Sequence, residues 1–275
     1  MRRCCVRATL HSGLGNWLYV AVEVALVAAA QNCTLALPSV LHQWFRLPVH
    51  VQRPVGRRCR SIRSMQEASS NPETRTRAVA ALGAVDYDAA RAQTFRTLFS
   101  APVVPLMRDA WTFQSAVHLR TVSDVACHTY DDIRACRRVC LRTAALECVV
   151  QHARPPVLIL SDSAVASAQL KRAFADHGVR DGVWDESAVA DARNHSAHSR
   201  RAAHGAMQLW TAFAMAERRF ASGISTFSKA ALLARPALRP EQHDFVVDTR
   251  CFKGHPSDGE LFTCRPASLS ADLVR

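Results

Sequence analysis

Four short stretches of the chain combine backbone freedom, hydroxyls and charge in ways that suit an anionic ligand. The first is Gly13-Leu14-Gly15-Asn16, between a short apolar run and a long helical one. Glycines at such a turn let the backbone approach a ligand closely, and the unpaired N–H groups that open the next helix attract anions. A tight strand-to-helix turn also needs glycine for its own geometry. The stretch lacks the third glycine of a dinucleotide fingerprint and the Lys-Ser/Thr of a phosphate-binding loop. The second is His118-Leu119-Arg120, with Asp124 close behind. Strand alternation sends His118 and Arg120 to one side. There Arg120 can hold a phosphate through paired hydrogen bonds while His118 adds another, or Arg120 can pair with Asp124 at the surface. The third, Ser161-Asp162-Ser163, follows a strongly apolar run. The Asp162 carboxylate either accepts from ribose hydroxyls or a base edge, or caps the next helix. The fourth is Gly223-Ile224-Ser225-Thr226-Phe227-Ser228. Its hydroxyls and N–H groups converge where a helix begins, which suits a diphosphate, and capping is again the alternative.

To act together these stretches must sit at strand ends, and the pattern of the chain supplies the strands. Residues 5–11 (CVRATLH) and 33–37 (CTLAL) read as strands flanking an apolar helix over 17–30, a βαβ unit that implies a parallel sheet. Residues 46–70 are Arg- and Ser-rich and read as a loop or insertion. Asn71-Pro72-Glu73 has the cap, the proline and the first-turn acid of a helix start, and Asp88 opens a further helix reaching Phe99. The APVVP run at 101–105 punctuates the chain, giving an N-terminal domain over 1–112 and a C-terminal domain over 113–275. In the second domain strands are expected at 115–120, 157–160, 220–224 and 245–248, with helices at 132–152, 164–176, 201–218 and 226–234. Such alternation predicts an α/β fold of two Rossmann-like domains. Ligands of open α/β sheets bind beyond the carboxyl ends of the strands, where all four stretches fall.

Composition narrows the partners. Of 275 residues, 49% are hydrophobic and 21% charged, an ordinary globular balance. The net charge of +12 comes almost wholly from arginine, but no basic cluster is interleaved with aromatics and no zinc-finger or RNA-binding signature is present, so nucleic acid is not expected. No CxxC pair occurs, and Cys136 and Cys140 have no second ligand pair nearby in sequence, so no metal is expected. Ten cysteines suit an oxidising compartment. Cys251 and Cys264 bracket a polar loop and are the pair the sequence favours for a disulfide. Asn32-Cys33-Thr34 and Asn194-His195-Ser196 are glycosylation sequons. The apolar run of fourteen residues over 17–30 carries Glu23 at its centre and falls short of the ~20 needed to span a bilayer. It therefore reads as a core helix rather than a signal peptide, and a membrane anchor is expected to lie outside this chain.

Taken in order, GLGN-x(2)-Y near the start, H-x-R in the middle, a strand ending in S-D-S, and S-T-F-S-x-A-A near the end resemble the superfamily of α1,2- and α1,6-fucosyltransferases and protein O-fucosyltransferases. The resemblance implies a GT-B fold, two Rossmann-like domains facing a cleft, and metal-independent transfer of fucose from GDP-fucose to a glycan or protein hydroxyl. It implies no cofactor beyond that nucleotide-sugar donor. Carried over, Arg120 and His118 would contact the diphosphate as the catalytic pair. Asp162 would meet the nucleoside, and Ser225, Thr226 and Ser228 the phosphates. Gly13, Gly15 and Asn16 would face the donor across the cleft. The family's habit places the protein in the lumen of the Golgi or ER, with the cytoplasm as the alternative. Glu23, Asp86 and Asp109 are candidate bases by location. A degenerate paralogue that binds without catalysis, and a Rossmann-like enzyme of another nucleotide, remain open.

Overall fold

The structure is a computed structural model that describes residues 4–9, 13–53, 59–64, 70–100, 102, 112–120, 143–161, 164–186, 200–223, 225–234, 243–247 and 264–267. The chain divides into two compact units, one built chiefly from Met1–Pro105 and the other chiefly from Leu106–Leu232 and Leu238–Ser268.

The first unit is a small parallel sheet with helices against it. β1 (Cys5–Ala8) lies between β2 (Thr34–Ala36) and β3 (Arg60–Ile62), and both neighbours pair with it in parallel. α1 (Leu14–Gln31) makes the βαβ crossover, with Gly13 as its N-cap and no side-chain cap bond. It ends at Asn32, whose φ of 51° is the left-handed conformation that asparagine tolerates at a helix terminus. The short α2 (Ser39–Trp44) follows β2. α3 (Pro72–Leu82) starts as its sequence predicts, with the Asn71 side chain accepting from the Glu73 and Thr74 N–H groups. α4 (Tyr87–Phe99) is capped by Asp86, which accepts from Ala89 N at 2.7 Å, so the helix begins one residue before the expected Asp88.

By length and composition α1 is apolar enough to cross a membrane, yet most of it is buried within the fold, Glu23 included. The Glu23 carboxylate pairs with Arg91 Nε at 2.7 Å and accepts from the Tyr87 hydroxyl at 2.5 Å. Guanidinium groups of Arg75 and Arg91 lie over the Tyr87 ring, 4.7 and 5.1 Å from its centroid. A buried carboxylate needs such partners because isolated charge is strongly disfavoured away from water. The interruption at Glu23 is thus the seam between α1 and α4.

The second unit carries the larger sheet, β6-β5-β4-β7-β8-β9. Its strands are β4 (Ser115–Leu119), β5 (Val157–Ser161), β6 (Val183–Asp185), β7 (Arg218–Ser222), β8 (His243–Val247) and β9 (Cys264–Pro266). Pairing is parallel except that of β8 with β9. Every residue of β4 and β5 is buried, as expected of central strands covered on both faces. Helices α5 (Thr143–His152), α6 (Ala164–Asp176), α7 (Arg200–Met215) and α8 (Thr226–Ala234) lie between the strands in sequence. Gly178 follows α6 at φ 83°, the left-handed exit that glycine provides.

Three expectations change. The run over 46–70 is not wholly irregular: it contributes β3, and Cys59 bonds to Cys5. A three-residue edge strand with only Ile62 buried leaves no periodicity to read. Cys264 pairs with Cys148, not Cys251, tying β9 to α5 across 116 residues of sequence. A third described disulfide joins Cys4 to Cys33. The strand expected at 220–224 begins earlier, at Arg218, because β7 includes two arginines that look like a polar helix end in sequence.

Candidate functional site

Counted from β4, the second sheet has the order 3-2-1-4-5 of nucleotide-binding α/β folds, with β9 added antiparallel at the edge. Connections from β4 run outward through β5 to β6, and those from β7 run the other way to β8. The reversal falls between β4 and β7, and such a switch point opens a crevice at the carboxyl edge of the sheet. The H-x-R stretch ends β4 and the S-T-F-S stretch follows β7. Topology therefore brings to one crevice two motifs that are far apart in sequence.

The joint between them is direct. His118 is buried, and its Nδ1 lies 3.2 Å from Ser228 Oγ, although the residues are 110 apart in sequence. The imidazole packs against Phe227 at 5.0 Å and Phe213 at 6.3 Å between ring centroids. Ser228 is fully buried, and its hydroxyl also lies 3.5 Å from the carbonyls of Ser222 and Ser225. The turn between β7 and α8 is therefore tied to β4 through one imidazole. Further ties fix the same edge: Ser222 Oγ donates to the Arg120 carbonyl at 3.4 Å, and Ser161 Oγ to the Leu119 carbonyl at 3.0 Å. Arg120 is the first residue beyond β4 and is partly exposed.

The opening of α8 is held in the same way. The Ser225 carbonyl accepts from Lys229 N at 3.1 Å, and Ser225 itself is buried, with its N–H bonded to the Ser222 carbonyl. Thr226 is the first helical residue. Trp210 Nε1, from α7, donates to the Phe227 carbonyl at 3.1 Å. The early N–H groups of a helix have no intrahelical acceptor and carry the positive end of its dipole, so this terminus offers donors at the switch point.

Sequence reasoning missed the residue that anchors the far end of α8. Arg219 is fully buried on β7 and donates to both carboxylate oxygens of Asp244, its register partner on β8, at 2.7 and 2.6 Å. Its Nη1 donates to the Ala231 carbonyl at 2.8 Å and approaches the Ala214 carbonyl at 3.4 Å. Those carbonyls belong to the last turns of α8 and α7, where backbone acceptors lack helical partners and a cation is favoured. One guanidinium thus closes two helices. The signal was the pair Arg218-Arg219 on a strand, where alternation exposes one and buries the other.

The remaining candidates lie elsewhere. Gly13, Gly15 and Asn16 open α1 in the first unit, with Gly15 buried and Gly13 and Asn16 partly exposed. The Trp17 ring beside them stacks on Trp44 at 6.1 Å, and its Nε1 is a buried donor with no partner. An unmade bond of this kind costs about 1–3 kcal/mol. Asp162, Asp124 and Asp109 lie outside the described residues. Glu23 is buried with both carboxylate oxygens engaged by Tyr87 and Arg91, and Asp86 caps α4 through one oxygen. Among the described residues, no group of three or more His, Cys, Asp or Glu is placed to hold a metal ion.

No protein-family model matches the sequence, and no curated protein matches it. Solved structures do. A mutant of Arabidopsis thaliana FUT1 in complex with GDP superposes with a TM-score of 0.52 at 14% identity, over 96% of this chain and 74% of that one. The fucosyltransferase NodZ from Bradyrhizobium aligns at 14% identity over 97% of this chain and 99% of its own, with a TM-score of 0.47. NodZ soaked with GDP-fucose gives 13% identity, 97% and 100% coverage, and a TM-score of 0.47. The chain has the parallel α/β fold of these fucosyltransferase-like glycosyltransferases, and the FUT1 match carries that statement.

Proposed function

We propose that this protein is a glycosyltransferase that moves fucose from GDP-fucose to a hydroxyl of a glycan or protein, without a metal. The observation that carries the reading is the joining of H-x-R to S-T-F-S at the β4/β7 switch point through His118 and Ser228. The FUT1 structure, which shares the fold, was solved with GDP, and a nucleoside diphosphate suits a crevice with an arginine on one wall and a helix N-terminus on the other.

In this reading the acceptor oxygen bonds to the anomeric carbon as the bond from that carbon to the β-phosphate oxygen breaks. Negative charge grows on the departing diphosphate. Arg120 and the first N–H groups of α8, with the Thr226 hydroxyl, stabilise it in place. Ser225 and Ser228 act by fixing the turn, since both are buried, and His118 aligns that turn with Arg120. Asp162 would take the nucleoside. The proposed compartment is the lumen of the secretory pathway, in the Golgi or ER, where disulfides persist.

A protein that binds GDP without transferring sugar is the second reading, favoured by the structural commitment of Glu23. The test pairs calorimetric GDP binding with transfer from GDP-fucose to glycan acceptors, for the parent and Arg120→Ala. Loss of one charge-stabilising donor lowers transfer by about 10²–10³-fold. GDP binding without turnover in the parent selects the second reading, and unchanged affinity and turnover in Arg120→Ala removes Arg120 from the site. A thermal-shift panel of GDP, UDP and NAD tests the nucleotide, because a ligand at 100 times its Kd adds about 2.7 kcal/mol to stability.

A further inference from the structure

A hollow of about 700 Å³ opens in the first unit, at the end of the small sheet where β2 begins and α1 stops. Ala25, Ala28 and Ala29 of α1 line it, with Gln93 and Thr97 of α4 and with Gln52. It lies at the amino ends of the strands, the opposite end from the Gly13–Asn16 turn. None of its lining residues is Asp, Glu, Lys or Arg, although such residues make up 21% of the chain. The exposed side-chain amides of Asn32, Gln52 and Gln93 make no hydrogen bond among the described residues. Alanine walls, the unengaged amides, the unengaged Thr34 hydroxyl and the absence of any Asp, Glu, Lys or Arg suit a neutral, polyhydroxylated ligand.

A source of such a ligand is written into the rim itself, for Asn32 lines the hollow and begins the sequon Asn32-Cys33-Thr34. Its side chain is exposed at the end of α1, and the Thr34 hydroxyl makes no bond among the described residues. The adjoining Cys33 is disulfide-bonded to Cys4, which calls for the oxidising compartment where sequons are modified. We infer that Asn32 is N-glycosylated and that the first sugars of its glycan seat in this hollow. The donor is an oligosaccharide carried on a lipid pyrophosphate. The Asn32 amide nitrogen bonds to the anomeric carbon, the bond from that carbon to the pyrophosphate oxygen breaks, and the amide loses a proton as the lipid pyrophosphate leaves. The inference is independent of the transferase reading.

The test secretes the full chain from cultured eukaryotic cells in an Asn194→Gln background, which removes the other sequon. The expected product carries one glycan, released by peptide-N-glycosidase, that is absent from Asn32→Gln and Thr34→Val and retained in Thr34→Ser. An unmodified parent, or a glycan that persists in both sequon-breaking variants, overturns the site. Seating is read separately, by Gln93→Ala with Thr97→Ala. The pair lowers the melting temperature of the glycosylated protein and leaves that of the Asn32→Gln protein unchanged. Equal shifts in the two forms overturn the seating while the mass data still decide the modification.

Discussion

Glu23 shows how one side chain can redirect the reading of a whole segment. In sequence it interrupts an apolar run; in the fold it binds two side chains, Tyr87 and Arg91, and its neighbours carry the signature. Burial, and then the negative Glu23 carboxylate that accepts its hydrogen bond, hold the Tyr87 phenol well above its usual range. Burial does the same to Tyr19, against a smaller lowering by Arg91. A phenol whose folded pKa is raised contributes stability that is intact below the unfolded value of about 10 and is lost as pH climbs beyond it. Of the three tyrosines in the chain, Tyr19 and Tyr87 are expected to stay protonated in the native protein near pH ~11 and to ionise on unfolding. Ultraviolet titration of native and denatured protein checks this, and native ionisation of both near the ordinary value would contradict it. At this scale the sequence was half legible. Glu23 could be seen to argue for a core helix, but its partners Tyr87 and Arg91 lie 64 and 68 residues away, on a helix whose register no local pattern ties to α1.

At the scale of elements, α8 is the piece on which the candidate site depends. Its N-terminus is tied to β4 by His118 and to α7 by Trp210, and its last turn is held by Arg219. Arg219→Met leaves the Asp244 carboxylate buried without its partner, a change that typically destabilises by about 3–5 kcal/mol. Adding Asp244→Leu should recover most of that loss, since a buried ion pair is often replaceable by packed apolar side chains. Denaturant unfolding followed by tryptophan fluorescence measures both, and a single variant within about 1 kcal/mol of the parent would show that the pair holds nothing. The helices and central strands were readable because apolar runs, caps and glycines agreed: the expected span of α8 is reproduced to the residue, and α3 begins at its Asn71 cap. The short edge elements were not. β3, β6 and α2 are only three, three and six residues long, and pairing with a neighbouring strand, not local pattern, is what makes β3 and β6 strands. The candidate site was legible as a list of motifs. The His118–Ser228 bond was not, because it follows from strand order.

For the molecule as a whole, covalent closure matters as much as packing. The described disulfides close loops of 29, 54 and 116 residues, and the chain-entropy estimate for such loops is about 3.5–5 kcal/mol each. Two of them staple the first unit, whose sheet has three short strands. Reduction is therefore expected to open the first unit before the second, giving two separated unfolding transitions in calorimetry of the reduced protein, the lower one assigned by hydrogen exchange at α1. A single transition, or earlier exchange in β4 and β5, would reject that order. The placement of Cys4 and Cys5 has a consequence for biosynthesis. Adjacent sulfurs are claimed by opposite flanks of β1, one by the residue before β2 and the other by the residue before β3. Cys33 can bond to either of the two adjacent thiols, and only one choice is compatible with the sheet. Chains that choose wrongly stay locked until a thiolate attacks the mismatched bond and exchanges it. The yield of native protein should then follow the supply of disulfide isomerase, on which adjacent cysteines with different partners make the maturation of this chain depend.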